Sequence, residues 1–317
     1  MARAYGMRAQ LAVAFEGTYG TAPASGFWRM PFASSGVGAE RGLDASELLG
    51  YGRDPLAPTR GVTDVSGEIV APVDVEAVGV WLKALLGAPT TTGASDPYTH
   101  TWASGAASIP SIAIERQLPD AARYDMLTGV KVDSMALSMQ RGERVNARLA
   151  LMGQAEASAG TTQAGSLEAD WTVDRFLYEH GKVTREGSDL ANIESAELTY
   201  SNGIEQVETL RQDSLIAGLD PTMASLTGRL TARFDDGTLQ AQAEAGGVCS
   251  LAFVLSRGAE RSLTITAHEV RLSQPRLAVE GPNGIRVTYD WQASLDAGEG
   301  EMASFVLVNG IAGYPAA

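Results

Sequence analysis

Residues 42–87 read GLDASELLGYGRDPLAPTRGVTDVSGEIVAPVDVEAVGVWLKALLG, and residues 203–247 read GIEQVETLRQDSLIAGLDPTMASLTGRLTARFDDGTLQAQAEAGG. The two lie together without a gap. Gly203 follows Gly42 by 161 residues, and Gly228 follows Gly67 by the same 161. In each, a glycine opens a polar stretch, a proline-containing segment follows, and Ser-Gly or Thr-Gly starts an apolar run that ends at an aspartate. A short helical pattern comes next. The downstream pieces repeat as well, VKVDSMALSMQRGERVNARLALMGQ from Val130 and VRLSQPRLAVEGPNGIRVTYDWQAS from Val270. Identity between the copies is low, so the repeat rests on pattern. Two copies are too few for a solenoid and predict two similar domains in tandem. A chance likeness between ordinary β-rich segments is the alternative.

The strands are legible from alternation. In residues 229–234, Leu230, Ala232 and Phe234 alternate with Arg229, Thr231 and Arg233, which predicts one buried and one wet face. Residues 62–73 are the matching strand. Val145, Ala147, Leu149 and Leu151 alternate in the same way, and Ile285, Val287, Tyr289 and Trp291 do so in the copy. Asn283-Gly284 predicts a tight hairpin before that last strand. Residues 109–118, 130–140 and 305–308 are further predicted strands.

Asp74 is placed to cap a helix that carries Val78, Trp81, Leu82, Leu85 and Leu86 on one stripe, with Gly87 as its stop. The copy, about residues 237–245, is weaker, with Asp235 or Asp236 as its cap. The fold class is therefore mainly β, with one short helix per copy.

Composition narrows the function. The chain has 317 residues, 44% of them hydrophobic, and a formal net charge of −14. That charge opposes a protein that grips nucleic acid by neutralising phosphates. The single Cys249 excludes an internal disulfide framework, fits a reducing compartment, and lies in an apolar run where a buried inert thiol is expected. Residues 1–19 lack a continuous apolar stretch, so no secretory signal is expected, and no apolar run is long enough to span a bilayer. His100, His180 and His268 have no partners at metal-ligand spacing. No nucleophile elbow, phosphate loop or dinucleotide fingerprint occurs. Neither catalytic residues nor a metal or cofactor are expected, and the chain reads as a non-enzyme.

The opening of the chain is similar to a known family. Ala9-Gln10-Leu11, residues 16–23 (EGTYGTAP), residues 48–55 (LLGYGRDP), residues 67–74 (GEIVAPVD), residues 81–87 (WLKALLG), residues 97–102 (PYTHTW) and residues 110–115 (PSIAIE) resemble the tail tube (major tail) proteins of long-tailed bacteriophages and prophages. The likeness covers most of the first half. The second half joins it through the repeat.

The resemblance implies β-sandwich or half-barrel domains with a flanking helix. It implies rings that stack into a tube conducting double-stranded DNA, other tail proteins at the tube ends, and a place in the virion after assembly in the host bacterial cytoplasm. The expected layout is an extended N-terminal arm over residues 1–35, a first tube-like domain over 36–158 and a second over 159–317. The boundary falls in the small, polar stretch 155–165. Two such domains per chain imply three chains per ring with approximate sixfold symmetry.

Glu68, Asp133, Glu143 and Asp290 are the expected lumen-facing residues. Phe27, Trp28, Phe32, Tyr98 and Trp102 are expected between subunits or rings, because their segments are too irregular to bury them in a sheet. Loss of residues 1–21 is expected to stop stacking and to leave the fold intact. Two other functions stay open. One is a carbohydrate-binding or adhesive virion protein that uses Tyr98 and Trp102. The other is a glycan hydrolase that uses paired acids.

Overall fold

A computed structural model describes residues 3–234, 237–279 and 281–314. In chain order the first strands are β1 (Gln10–Phe15), β2 (Trp28–Arg29), β3 (Ser34–Ser35), β4 (Gly38–Asp44), β5 (Thr59–Pro72), β6 (Thr90–Thr92) and β7 (Tyr98–Ala103). Next come β8 (Ile112–Leu118), β9 (Arg123–Gln140), β10 (Asn146–Gly153), β11 (Ala155–Ala159), β12 (Gly181–Arg185), β13 (Ser188–Asp189) and β14 (Ile193–Ser201). The last are β15 (Ile204–Val207), β16 (Gly218–Pro221), β17 (Ser225–Arg233), β18 (Cys249–Ser256), β19 (Ser262–Leu272), β20 (Arg286–Ser294) and β21 (Ala303–Asn309). Helix α1 (Val78–Leu86) follows β5, and α2 (Thr238–Ala245) follows β17. The chain is mainly β and its pairings are antiparallel, as the alternation predicts.

The strands form one long sheet in the order β4, β5, β10, β9, β14, β17, β20 and the end of β19. Two further layers share its long strands. The first half of β9 joins β8 and β11, β8 joins β1, and β1 joins β2. The first half of β19 joins β18 and β21, β18 joins β12, and β21 joins β7. The apolar faces meet in one large core that includes Ile69, Trp81, Leu149, Tyr200, Phe253, Trp291 and Phe305.

The pairing pattern occurs twice. Gly38 opposes Ser66 in β4–β5, and Thr199 opposes Thr227 in β14–β17, so both partners advance by 161 residues. Leu43 opposes Arg60, and Ile204 opposes Pro221, by the same step. Gly67 opposes Leu151, and Gly228 opposes Trp291. Val132 opposes Leu151, and Leu272 opposes Trp291. Even a bulge recurs. The β8–β9 register slips between Ile112 and Ile114, and the β18–β19 register slips between Cys249 and Leu251.

The aligned glycines meet one physical need. A Cβ on Gly228 would lie 2.1 Å from the Glu197 carbonyl oxygen. A Cβ on Gly67 would lie 2.5 Å from that of Gly36.

Several expectations are corrected. Within the expected N-terminal arm, Gln10–Phe15 forms β1, which is bonded to β2 and β8 and buries five of its six residues. The stretch 155–165 is not a loose linker. It begins as β11, and the buried Glu115 carboxylate then accepts bonds from the Thr162 hydroxyl and the Gln163 backbone N–H, at 2.7 and 2.6 Å. Helix α1 buries all nine residues, Lys83 included, rather than one stripe. Tyr314 lies against Gly79 and donates its hydroxyl to the Glu76 carbonyl, and residues 174 and 176 bond to Val75 and Val73 just before the helix.

Asp74 caps α1 as expected, its Oδ1 accepting the N–H groups of Val78 and Glu76. The proposed caps of α2, Asp235 and Asp236, lie outside the described residues. The hairpin predicted around Asn283-Gly284 is wider than two residues, since β19 ends at Leu272 and β20 starts at Arg286. Pro275 has no N–H to extend the ladder.

Candidate functional site

The long sheet has one face on the core and one face outside. The outer face is built by the period of two. Ile69, Leu149, Leu230, Tyr289 and Trp291 turn inward, so Glu68, Arg148, Arg229 and Asp290 turn out. Hydroxyl and small side chains fill the centre of this face. Thr199 opposes Thr227 and Ala136, and the Thr231 hydroxyl lies 3.2 Å from that of Thr288.

Five arginines placed here are paired with carboxylates. Arg148 meets Glu68 at 3.4 Å and Arg229 meets Asp290 at 2.8 Å. Arg233 and Arg286 share Glu194 at 2.6 and 2.7 Å, and Arg271 meets Glu269 at 3.0 Å. Two arginines hold the Glu194 carboxyl below its ordinary range, the hydrogen bond from Arg233 being the largest cause. These exposed pairs contribute little to stability. Their effect is on the face itself, where each of these five arginines has a carboxylate beside it.

Two of the four expected lumen residues, Glu68 and Asp290, stand on this face. Asp133 does not. It occupies the bulge where the β9–β10 register slips, and its Oδ1 accepts the Ile204 N–H at 2.8 Å. Glu143 sits in the turn between β9 and β10, its N–H bonded to the Gln140 carbonyl. The arginines and Glu194 were missed as site residues, although Arg229 and Arg233 stand on the wet side of the alternation that marked the strand.

The expected contact residues divide. Phe27 is fully buried against Ala12, Ala14, Ala113 and Met126. Trp102 is 1% exposed and donates its indole N–H to the Gly87 carbonyl at 3.0 Å. Neither is available to a neighbour. Trp28 is half-buried and stacks on Trp171, with ring centroids 4.6 Å apart, and Phe32 is half-buried on the core. Tyr98 is half-buried at the start of β7.

Other buried polar groups have structural partners. Glu16 accepts from Gly129, Gly20 and the Ser111 hydroxyl, and burial raises its pKa. His100 bonds to Thr91 and the Ile311 carbonyl, and burial lowers its pKa. Burial raises the Asp125 pKa, yet Ser158, Arg116 and Arg123 together bring it below the ordinary value. Burial also pushes the Cys249 thiol up. Among the described residues no group of three or more His, Cys, Asp or Glu side chains is placed to hold a metal ion. No helix among them is long and apolar enough to cross a membrane.

Residues 6–293 match the family described as phage tail tube protein. The chain belongs to the phage tail tube family. Membership makes it a structural protein of the phage tail, a virion component, in a family that is not an enzyme family. Comparison with curated proteins gives no match. Membership implies self-assembly of the chain into a tube, together with other tail proteins.

Proposed function

We propose that three copies of this chain close a ring of approximate sixfold symmetry, that rings stack into the tail tube, and that double-stranded DNA passes through it during ejection. One observation carries the reading. A single pairing pattern occurs twice, and the two copies are fused edge to edge by β9 and β14, with Ser134 opposite Ser201 and Gln140 opposite Ser195. Residues 36–158 and 159–317 are then two tube-like units about 60° apart round the ring. The units share one core, and β7 of the first bonds to β21 of the second.

The outer face of the long sheet is the wall of the lumen. Its paired arginines offer DNA phosphates no uncompensated cation, and the remaining charge of an acidic chain repels them. Assembly takes place in the host cytoplasm, with other tail proteins at the tube ends. The carbohydrate-binding alternative keeps only Tyr98 of its two aromatics, because Trp102 lies in the core. Electron microscopy of the purified protein is the test. Rings or tubes with a central channel support the proposal, and a monomer at all concentrations refutes it.

A further inference from the structure

The joint between the two copies supplies the geometry for a joint between chains. In the second copy, the hairpin of β15 and β16 folds down on the first copy. Ile204, Ile216 and Leu219 pack with Ile109 and Met152. The Lys131 ammonium donates to the Leu219 carbonyl at 2.7 Å, the Gln154 amide donates to the Ile216 carbonyl at 3.0 Å, and Asp133 accepts the Ile204 N–H. Alongside, β14 completes the ladder on β9.

The first copy has the same hairpin at residues 42–60, in the same register. Its large apolar side chains are exposed, Leu43, Leu48, Leu49 and Tyr51 by 69, 68, 92 and 70%. Beside it, β4 pairs only with β5 among the described residues, and its Ala39 N–H is taken by the Glu156 carboxylate. At the other end of that sheet, the second copy offers the matching receptor, also uncovered. Shifting the receiving groups by the 140 residues that separate Val132 from Leu272 brings Lys131 to Arg271, Asp133 to Ser273 and Gln154 to Ser294. A cation is kept at Arg271, serine hydroxyls replace the carboxylate and the amide, and before docking Arg271 donates to the Ser294 hydroxyl and pairs with Glu269. Among the described residues the continuation of β19, residues 273–279, has no strand partner beyond Ser273, and Leu277 and Val279 are exposed. Pro275 leaves its ladder one donor short, so this segment does not close on β20 alone.

We propose that hairpin 42–60 and strand β4 of one chain dock on residues 271–279 and β20 of a second copy of the same chain, repeating the internal joint. This rests on the two-copy reading above and adds its register. Carrying the β9–β14 pairs across by the two steps puts Glu40 opposite Gln274 and Gly38 opposite Arg276. The contact is heterologous, so it closes a ring when the rotation closes and leaves no free edge of this sheet.

Paired strand residues have Cα atoms about 4.5–5.5 Å apart, within the range a disulfide spans. The test is the double variant Glu40→Cys with Gln274→Cys, oxidised after assembly and run without reductant. Cross-linked dimers and a closed species holding every chain of the ring are expected. Glu40→Cys with Ala278→Cys, about 13 Å out of register, should give none. Tubes that form without the first cross-link, or that cross-link only out of register, overturn the inference and leave the tube reading standing. A chain that forms no oligomer of any kind sinks both. As a second arm, Leu48→Ser, Leu49→Ser and Tyr51→Ser together should leave the monomer folded, since all three are exposed. They should raise the concentration needed for assembly by tenfold or more, and an unchanged threshold counts against the docking.

Discussion

Replacing Asp74 by Asn should make the protein more stable at neutral pH and no more stable at pH 4. Asp74 has no exposed surface. Its Oδ1 caps α1 through the N–H groups of Val78 and Glu76, and its Oδ2 has no hydrogen-bond partner among the described residues. Burial pushes its pKa up to about 6 from 3.8, and the backbone donors offset only part of the shift. The folded chain therefore holds a proton that the unfolded chain has released between about pH 4 and pH 6. Protonation of this group favours folding fully below the unfolded value, and that contribution is lost as pH rises through the folded one. A shift of about two pH units corresponds to about 3 kcal/mol.

Asn keeps the capping oxygen and carries no charge. The variant should match the wild type at pH 4 and exceed it by about 2–3 kcal/mol at pH 7.5. Urea unfolding of dilute, unassembled protein at half-unit pH steps measures the difference. Subtracting the two curves removes Glu16, which has the same sign, and Asp125, which has the opposite one. A difference that stays flat from pH 4 to 7 would refute the placement of a buried carboxylate at this cap.

Three further outcomes are expected. Gly228→Ala forces a Cβ into the Glu197 carbonyl and should cost about 1–3 kcal/mol or more, read as a fall in Tm; an unchanged Tm would remove the reason for the aligned glycines. Deleting residues 3–21 removes β1, with Leu11, Val13 and Phe15 in the core. At about 1.5–3 kcal/mol for each large side chain, this is comparable to the whole stability of a domain, so circular dichroism should show an unfolded or aggregated product rather than a soluble monomer. Asp290→Lys removes the carboxylate bonded to Arg229 and adds a cation to the outer face. Tubes should still assemble, with DNA passage slowed in an ejection assay, and an unchanged rate would place that face away from the channel.

What was legible in the sequence was what backbone pairing and burial impose locally. The alternation around Leu230 and Tyr289 marked β17 and β20, and the 161-residue step between Gly67 and Gly228 marked the repeated sheet. Asp74 showed itself as a cap. What was not legible depends on partners distant in sequence. Phe27 and Trp102 look like surface aromatics in irregular segments, yet they are buried by the β1–β8 layer and by the end of α1. Asp133 sits in an alternating strand, and only the bulge and the second copy's hairpin turn it into an acceptor for Ile204. Helix α1 has an apolar stripe, but Tyr314 lies against its Gly79 and residues 174 and 176 bond to Val75 and Val73 just before it, from more than 90 residues away. For the same reason the outer face could be named by strand but not by every residue, since one bulge sends a carboxylate elsewhere.

The most direct measurement is a cryo-EM reconstruction of assembled tubes, averaged without imposed symmetry. The account predicts three chains per ring, each giving two similar but unequal sheet sections, with hairpin 42–60 of one chain on β20 of the next and the face of Arg229 and Asp290 turned to the channel. Six equivalent chains per ring, or a channel lined by another face, would contradict it.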